Sequence, residues 1–155
     1  MTAMLVVDPA RCTGCRMCEL ACSLAKTGAF APALSRIRVH VFAEDFKHIP
    51  LACFQCSDAP CARACPAAAL LQGDGLVRFV REKCIGCRMC MLACPFGVIS
   101  FDDETRAIAK CDTCDGDPEC VKFCAYGTLT FREGSLAAAP KGRDFARRVA
   151  DAAKA

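Results

Sequence analysis

Apolar and polar positions alternate along this chain in short runs, none of which keeps one period for long. Residues 4–8 (MLVVD) predict a first strand that stops at the Asp8-Pro9 turn. Over residues 35–43 (SRIRVHVFA), Ile37, Val39 and Val41 share one face and Arg36, Arg38 and His40 the other, the pattern of a half-solvated strand. GDGLVRFV predicts a turn at Gly73-Asp74-Gly75 and a strand over 76–80. FGVISFDDETRAIAK predicts strands over 98–101 and 106–109 around Asp102-Asp103. The helical signals are as brief: ELACSLAKT, stopped by Gly28, and one turn in AAALL at 67–71. A linker and a helix are expected over 135–155, where Phe145 and Val149 stand four apart with Arg143, Arg147 and Arg148 opposite. Elements this short predict a small core, and small cores usually need a staple other than packing.

The staple is cysteine, which supplies 16 of 155 residues. Residues 84–95 read CIGCRMCMLACP, with Cys84, Cys87, Cys90 and Cys94 spaced C-x2-C-x2-C-x3-C before a proline. Residues 12–22 (CTGCRMCELAC) repeat the phrase with Cys12, Cys15, Cys18 and Cys22, and nine of these eleven positions are identical. Two looser quartets are Cys53, Cys56, Cys61 and Cys65 in CFQCSDAPCARAC, and Cys111, Cys114, Cys120 and Cys124 in CDTCDGDPECVKFC. PFGVISF follows Cys94 and AYGTLTF follows Cys124, each a glycine and then a short alternating strand. The chain reads as a duplicated two-quartet unit, with too few copies for a solenoid.

Three frameworks compete for these cysteines. A disulfide scaffold belongs with an export route, and MTAMLVVDPARC has no basic leader and only a short apolar run. Charges interrupt every apolar run, so no membrane span is predicted. Zinc sites use C-x2-C pairs set far apart, which a C-x2-C-x2-C string does not resemble; a structural zinc protein stays as the alternative from another class. The spacing over 84–95 is the run with which bacterial ferredoxins hold iron–sulfur clusters. Only two histidines are present, and His40 and His48 read as plain surface residues. Each 4Fe–4S core with four thiolates carries roughly −2, so four would shift the formal +3 by about −8. The loaded protein is then mildly acidic, and no nucleic-acid partner is expected.

The residues around the cysteines suit that chemistry. C-x2-C turns set neighbouring thiolates on one side and aim amide N–H groups at sulfur. Gly14 and Gly86 sit inside such turns, where positive φ or close approach is expected. Pro66 and Pro95 fix the exit from two quartets, while Ser23 and Ala125 stand at the matching positions of the others, where more adaptable loops are expected. Arg11, Lys83 and Lys110 each precede the first cysteine of a quartet, and Arg16 and Arg88 match inside the repeated motif. They read either as charges that offset the clusters or as solvated surface residues. The remote fourth cysteine of such a run normally serves the other cluster of a pair, and metal binding is then also folding energy.

With these four quartets the chain resembles, over residues 4–134, the four-cluster iron–sulfur electron-transfer subunits of the dimethyl-sulfoxide-reductase and formate-dehydrogenase type. The ending CDTCDGDPECVKFCAYGTLTF looks most like the small electron-transfer subunit of tungsten aldehyde oxidoreductases. The resemblance implies an α+β fold of two interlocked dicluster-ferredoxin-like modules. The outer would comprise residues 1–50 and 102–134, the inner 51–101, with a C-terminal helix in 135–155. It also implies a nested pairing of quartets: Cys12, Cys15, Cys18 and Cys124 on one 4Fe–4S cluster; Cys53, Cys56, Cys61 and Cys94 on a second; Cys84, Cys87, Cys90 and Cys65 on a third; Cys111, Cys114, Cys120 and Cys22 on a fourth.

The implied function is relay of single electrons between a catalytic tungsten or molybdenum pterin subunit and a flavin subunit or soluble ferredoxin. No glycine-rich nucleotide fingerprint is present, and every cysteine belongs to a quartet, so no catalytic residue is expected. A free polyferredoxin, or a partner of carbon monoxide dehydrogenase or hydrogenase, is the alternative within electron transfer. A cytoplasmic location and head-to-tail self-association complete the expectations. The apolar face of the C-terminal helix is too small to anchor it in a membrane.

Overall fold

The computed structural model describes residues 3–73 and 75–133. The helix expected over 135–155 lies outside the described residues. The longest-range pairing joins the two ends of this span. β1 (Ala3–Val7), a run of apolar and β-branched residues, lies antiparallel to β8 (Leu129–Glu133), with Leu5 opposite Phe131 and Val7 opposite Leu129. The Asp8 N–H extends the ladder to the Thr128 carbonyl at 2.8 Å. The chain entering the first quartet is thereby laid beside the chain leaving the fourth.

The other ribbons are local hairpins: β2 (Arg38–Phe42) with β3 (Lys47–Leu51), β4 (Leu70–Gly73) with β5 (Leu76–Phe79), and β6 (Ser100–Asp102) with β7 (Ala107–Ala109). Each quartet feeds one helix: α1 (Met17–Thr27), α2 (Pro60–Arg63), α3 (Met89–Ala93) and α4 (Glu119–Lys122). α1 packs on α4, and α2 on α3. Two apolar cores follow that division. One holds Ile37, Val39, Ala52 and Leu129 among Cys18, Cys22 and Cys120; the other holds Ala59, Leu70, Val77, Ile99 and Ile108 with Cys61 and Cys90.

Four sequence expectations change. AAALL is not a helical turn: Ala68 takes φ +46°, and β4 starts at Leu70. Ala68 stands three residues after Cys65, as Gly97 does after Cys94 and Gly127 after Cys124, and these two have φ +61° and +62°. In all three the N–H at that position donates to the cysteine carbonyl, at 3.2, 3.2 and 3.1 Å. AAALL is therefore a third copy of the exit strand, hidden because alanine holds the glycine position.

Ser23 does not loosen a loop. It lies inside α1 with no exposure, its hydroxyl donating to the Leu20 carbonyl and accepting from the Ala31 N–H. Proline would break the helix there; serine lets α1 run on to its left-handed cap at Gly28, whereas α3 stops just before Cys94-Pro95. Val41 leaves the buried face predicted for it and is 52% exposed, because the β2–β3 hairpin projects past the core. His48 is not a plain surface residue: it is half-buried, with Nδ1 shut from solvent. His40 is exposed as expected.

Candidate metal centres

All 16 cysteines are free thiols. They are distributed over four cavities, four to each. Cys12, Cys15, Cys18 and Cys124 line one. Cys53, Cys56, Cys61 and Cys94 line another. Cys65, Cys84, Cys87 and Cys90 line a third, and Cys22, Cys111, Cys114 and Cys120 the fourth. In each set three cysteines come from one quartet and the fourth from another.

Besides sulfur, the cavity of the Cys53 set is lined by apolar side chains, among them Phe54, Val77, Val98 and Ile99. Leu70, Phe79, Ile85 and Ile108 line that of the Cys84 set together with Arg88, while Lys26, Arg36 and Asp112 border the Cys111 set and Arg16 and Thr128 the Cys12 set. Among the described residues no three His, Cys, Asp or Glu side chains converge on a single ion. The thiols surround space instead of a point, which suits a core of several atoms. Sulfur donors of this softness and number are the ligands of iron–sulfur clusters. The residues fit that group.

Backbone geometry is common to the C-x2-C turns that open the four quartets. Their third residue has positive φ in every case: Gly14 at +72°, Gln55 at +49°, Gly86 at +70° and Thr113 at +57°. Only the glycines could be singled out from the sequence. Gln55 and Thr113 reach the same conformation under tertiary restraint, buried at 9% and 2% exposure. Their N–H groups approach Cys53 Sγ at 3.5 Å and Cys111 Sγ at 3.4 Å, while Ala69 N–H reaches Cys65 Sγ and Arg36 N–H reaches Cys22 Sγ, both at 3.3 Å. Such N–H···S contacts stabilise charge on sulfur. Gly14 also meets a second need, because a Cβ there would stand 2.9 Å from the His48 ring.

Burial raises the thiol pKa values. Cys18 is pushed up to about 12, with the Glu19 carboxylate adding to the effect, and Cys90 and Cys111 to about 11. Cys120 is raised further by burial and by the neighbouring Cys111 and Cys22. Without metal these groups are protonated at neutral pH, so metal loading displaces protons.

The basic residues part company. Arg11 and Lys83 are exposed. Arg88 lies 3.8 Å over the Phe101 ring and pairs with Asp103 at 2.9 Å, and Arg16 stands 3.6 Å from Glu19. Lys110, by contrast, is 2% exposed.

Four thiol sets on a ribbon-and-short-helix fold define a ferredoxin-type iron–sulfur protein. The chain belongs, in particular, to the 4Fe-4S dicluster domain family, whose model matches residues 44–134; a 4Fe-4S binding domain model also matches residues 9–28. It is 41% identical over 122 residues to the polyferredoxin-like subunit of aliphatic sulfonate oxidoreductase from Pyrococcus furiosus, covering 77% of this chain and 70% of that one. It is 31% identical to the electron transport protein HydN of Escherichia coli, covering 83% and 87%. The beta subunit of NADH-dependent phenylglyoxylate dehydrogenase from Aromatoleum evansii is 40% identical over 81% of this chain, which spans only 29% of that subunit. A chain of the active site complex BamBC of benzoyl coenzyme A reductase shares the fold, with a TM-score of 0.51 and 25% identity over 99% of this chain and 98% of that one. Among the described residues no helix is long and apolar enough to cross a membrane.

Proposed function

We propose that this chain is an electron-transfer subunit that holds four 4Fe–4S clusters and relays single electrons between a catalytic subunit and a second redox partner. The observation that carries this reading is the sorting of the 16 cysteines into four sets, each around its own cavity. The ligand sets follow: Cys12, Cys15, Cys18, Cys124; Cys53, Cys56, Cys61, Cys94; Cys84, Cys87, Cys90, Cys65; and Cys111, Cys114, Cys120, Cys22. The clusters supply one-electron chemistry. The chain supplies thiolates, N–H groups aimed at sulfur, and two apolar cores packed against the sites. The division into an outer and an inner module is part of this proposal, with the inner one extended through β7, since Ile108 packs in its core.

The catalytic partner in this reading is a tungsten or molybdenum pterin oxidoreductase of the aldehyde-oxidising kind, and the second partner a flavin subunit or soluble ferredoxin. Support comes from the resemblance over 4–134 and from relatives named as subunits of oxidoreductases. Head-to-tail association of copies, readable by light scattering, would lengthen the relay. Anaerobic purification with iron and sulfide analysis tests the cluster count: about 16 of each per chain are expected, and zinc without sulfide overturns it. Tungsten or molybdenum in the native complex is expected, and a chain that purifies and migrates alone overturns the partner assignment.

A further inference from the structure

A buried cation stands between two of the four cavities. Lys110, the residue before Cys111, donates from Nζ to the Val77 carbonyl at 2.7 Å, to Gln55 Oε1 at 3.0 Å and to the Cys111 carbonyl at 3.0 Å. Gln55 closes the knot: its Nε2 donates to the same Cys111 carbonyl at 2.8 Å, and its Oε1 accepts from the Val77 N–H at 3.0 Å. Three acceptors and no donor face Nζ among the described residues. A neutral amine has two N–H groups and a lone pair that needs a donor, so this geometry requires the ammonium.

Each of those partners is neutral, and no carboxylate among the described residues pairs with the lysine. A buried charge without a counter-charge is costly. Its location points to the counter-charge. Gln55 lies inside the Cys53–Cys56 turn, Val77 lines the cavity of the Cys53 set, and Cys111 belongs to the adjoining set.

We propose that Lys110 is a positioning residue that serves as the shared counter-charge of the two clusters it stands between, on the Cys53 and Cys111 sets, and raises their reduction potentials over those it would leave without its charge. This rests on the four-cluster reading. A 4Fe–4S core with four thiolates is negative when oxidised and gains one more negative charge with each electron. A fixed positive charge in a low-dielectric junction favours the reduced form more than the oxidised one.

The test is a dithionite titration of the anaerobic holoprotein, followed by electron paramagnetic resonance. In Lys110→Met, two of the four one-electron waves are expected to fall by at least a tenfold change in the reduced-to-oxidised ratio, about 59 mV for one electron. The other two should stay in place with iron content unchanged. Lys110→Arg restores most of the shift, and Gln55→Glu, which neutralises the ammonium in place, lowers the same two waves. The proposal is overturned if no wave moves, if arginine behaves as methionine does, or if every variant loses iron and Lys110 proves a strut. Four clusters in the wild type with unmoved waves defeat the role of Lys110 alone. A wild type without four clusters defeats the parent reading as well.

Discussion

Glu19 on α1 accepts a hydrogen bond from the Val39 N–H of β2 at 2.7 Å, with its side chain almost wholly buried. The near-copy of this motif has Met91 at the matching position, packed against the second core. Nine of eleven positions could repeat because both loops wrap a metal site; this one could not, because only the first has a strand edge to satisfy. Replacing Glu19 with the methionine of the other copy strands the Val39 N–H in the interior. A loss of roughly 1–3 kcal/mol is expected, read from the denaturant midpoint of the loaded protein. An unchanged midpoint would show that the pair contributes nothing.

Gly14 and Gly28 both have φ near +73°, yet their surroundings differ. A Cβ at Gly14 meets the His48 ring at 2.9 Å, and one at Gly28 meets nothing within 4 Å. Gly28→Ala is expected to cost about 1–2 kcal/mol of left-handed strain and to keep full iron content. Gly14→Ala adds the collision and distorts the turn between Cys12 and Cys15, so iron analysis should find it depleted. Equal iron in the two variants would refute the contact with His48.

The nested sets make an unusual forecast for single cysteine variants. Cys124→Ala removes a thiol of the fourth quartet, but the site expected to suffer is that of Cys12, Cys15 and Cys18. Cys22→Ala, in the first quartet, should damage the site of Cys111, Cys114 and Cys120. Spectra of the two variants distinguish them: if each variant disturbs the site of its own quartet, the nesting is wrong.

Asp112 accepts from Lys26 at 3.0 Å and from Arg36 at 2.7 Å, tying α1 and the segment before β2 to the fourth quartet. Burial alone would raise its pKa, but Lys26, the Cys114 N–H and Arg36 outweigh that and hold the carboxyl below its ordinary range. A depressed folded pKa contributes stability that is present above the ordinary value near ~3.9 and is lost as pH falls through the folded one. Asp112→Asn is expected to cost about 1 kcal/mol at pH 7, with the gap to wild type closing below roughly pH 4. Urea unfolding at several pH values reads this, and a gap constant with pH would sink it.

The raised thiols make a forecast of the opposite sign. With Cys18 held near about 12 and Cys90 and Cys111 near about 11, thiols released from metal at pH 8 take up protons. Chelating the iron in weakly buffered solution should make an indicator dye report alkalinisation. In the metal-free fold, the stability tied to these thiols is complete below pH 9.0 and is lost as pH rises through 11 to 12.

The sequence by itself determined the chemistry. Soft ligands at a set spacing leave few alternatives, and the first and third quartets, Gly14, Gly86 and most of the short strands were legible because each depends on local geometry. Tertiary structure decided what local patterns cannot encode. The β1–β8 ladder, a pairing between the two ends of the described chain, lays the first quartet beside the fourth. Gln55 and Thr113 adopt a glycine-like conformation because their side chains and the surrounding core hold them there. Lys110, one basic residue among several before a quartet, is buried only because β5, the Cys53 turn and the chain after β7 converge on it. Charge and spacing are properties of the chain, but burial and long-range contact are properties of its fold.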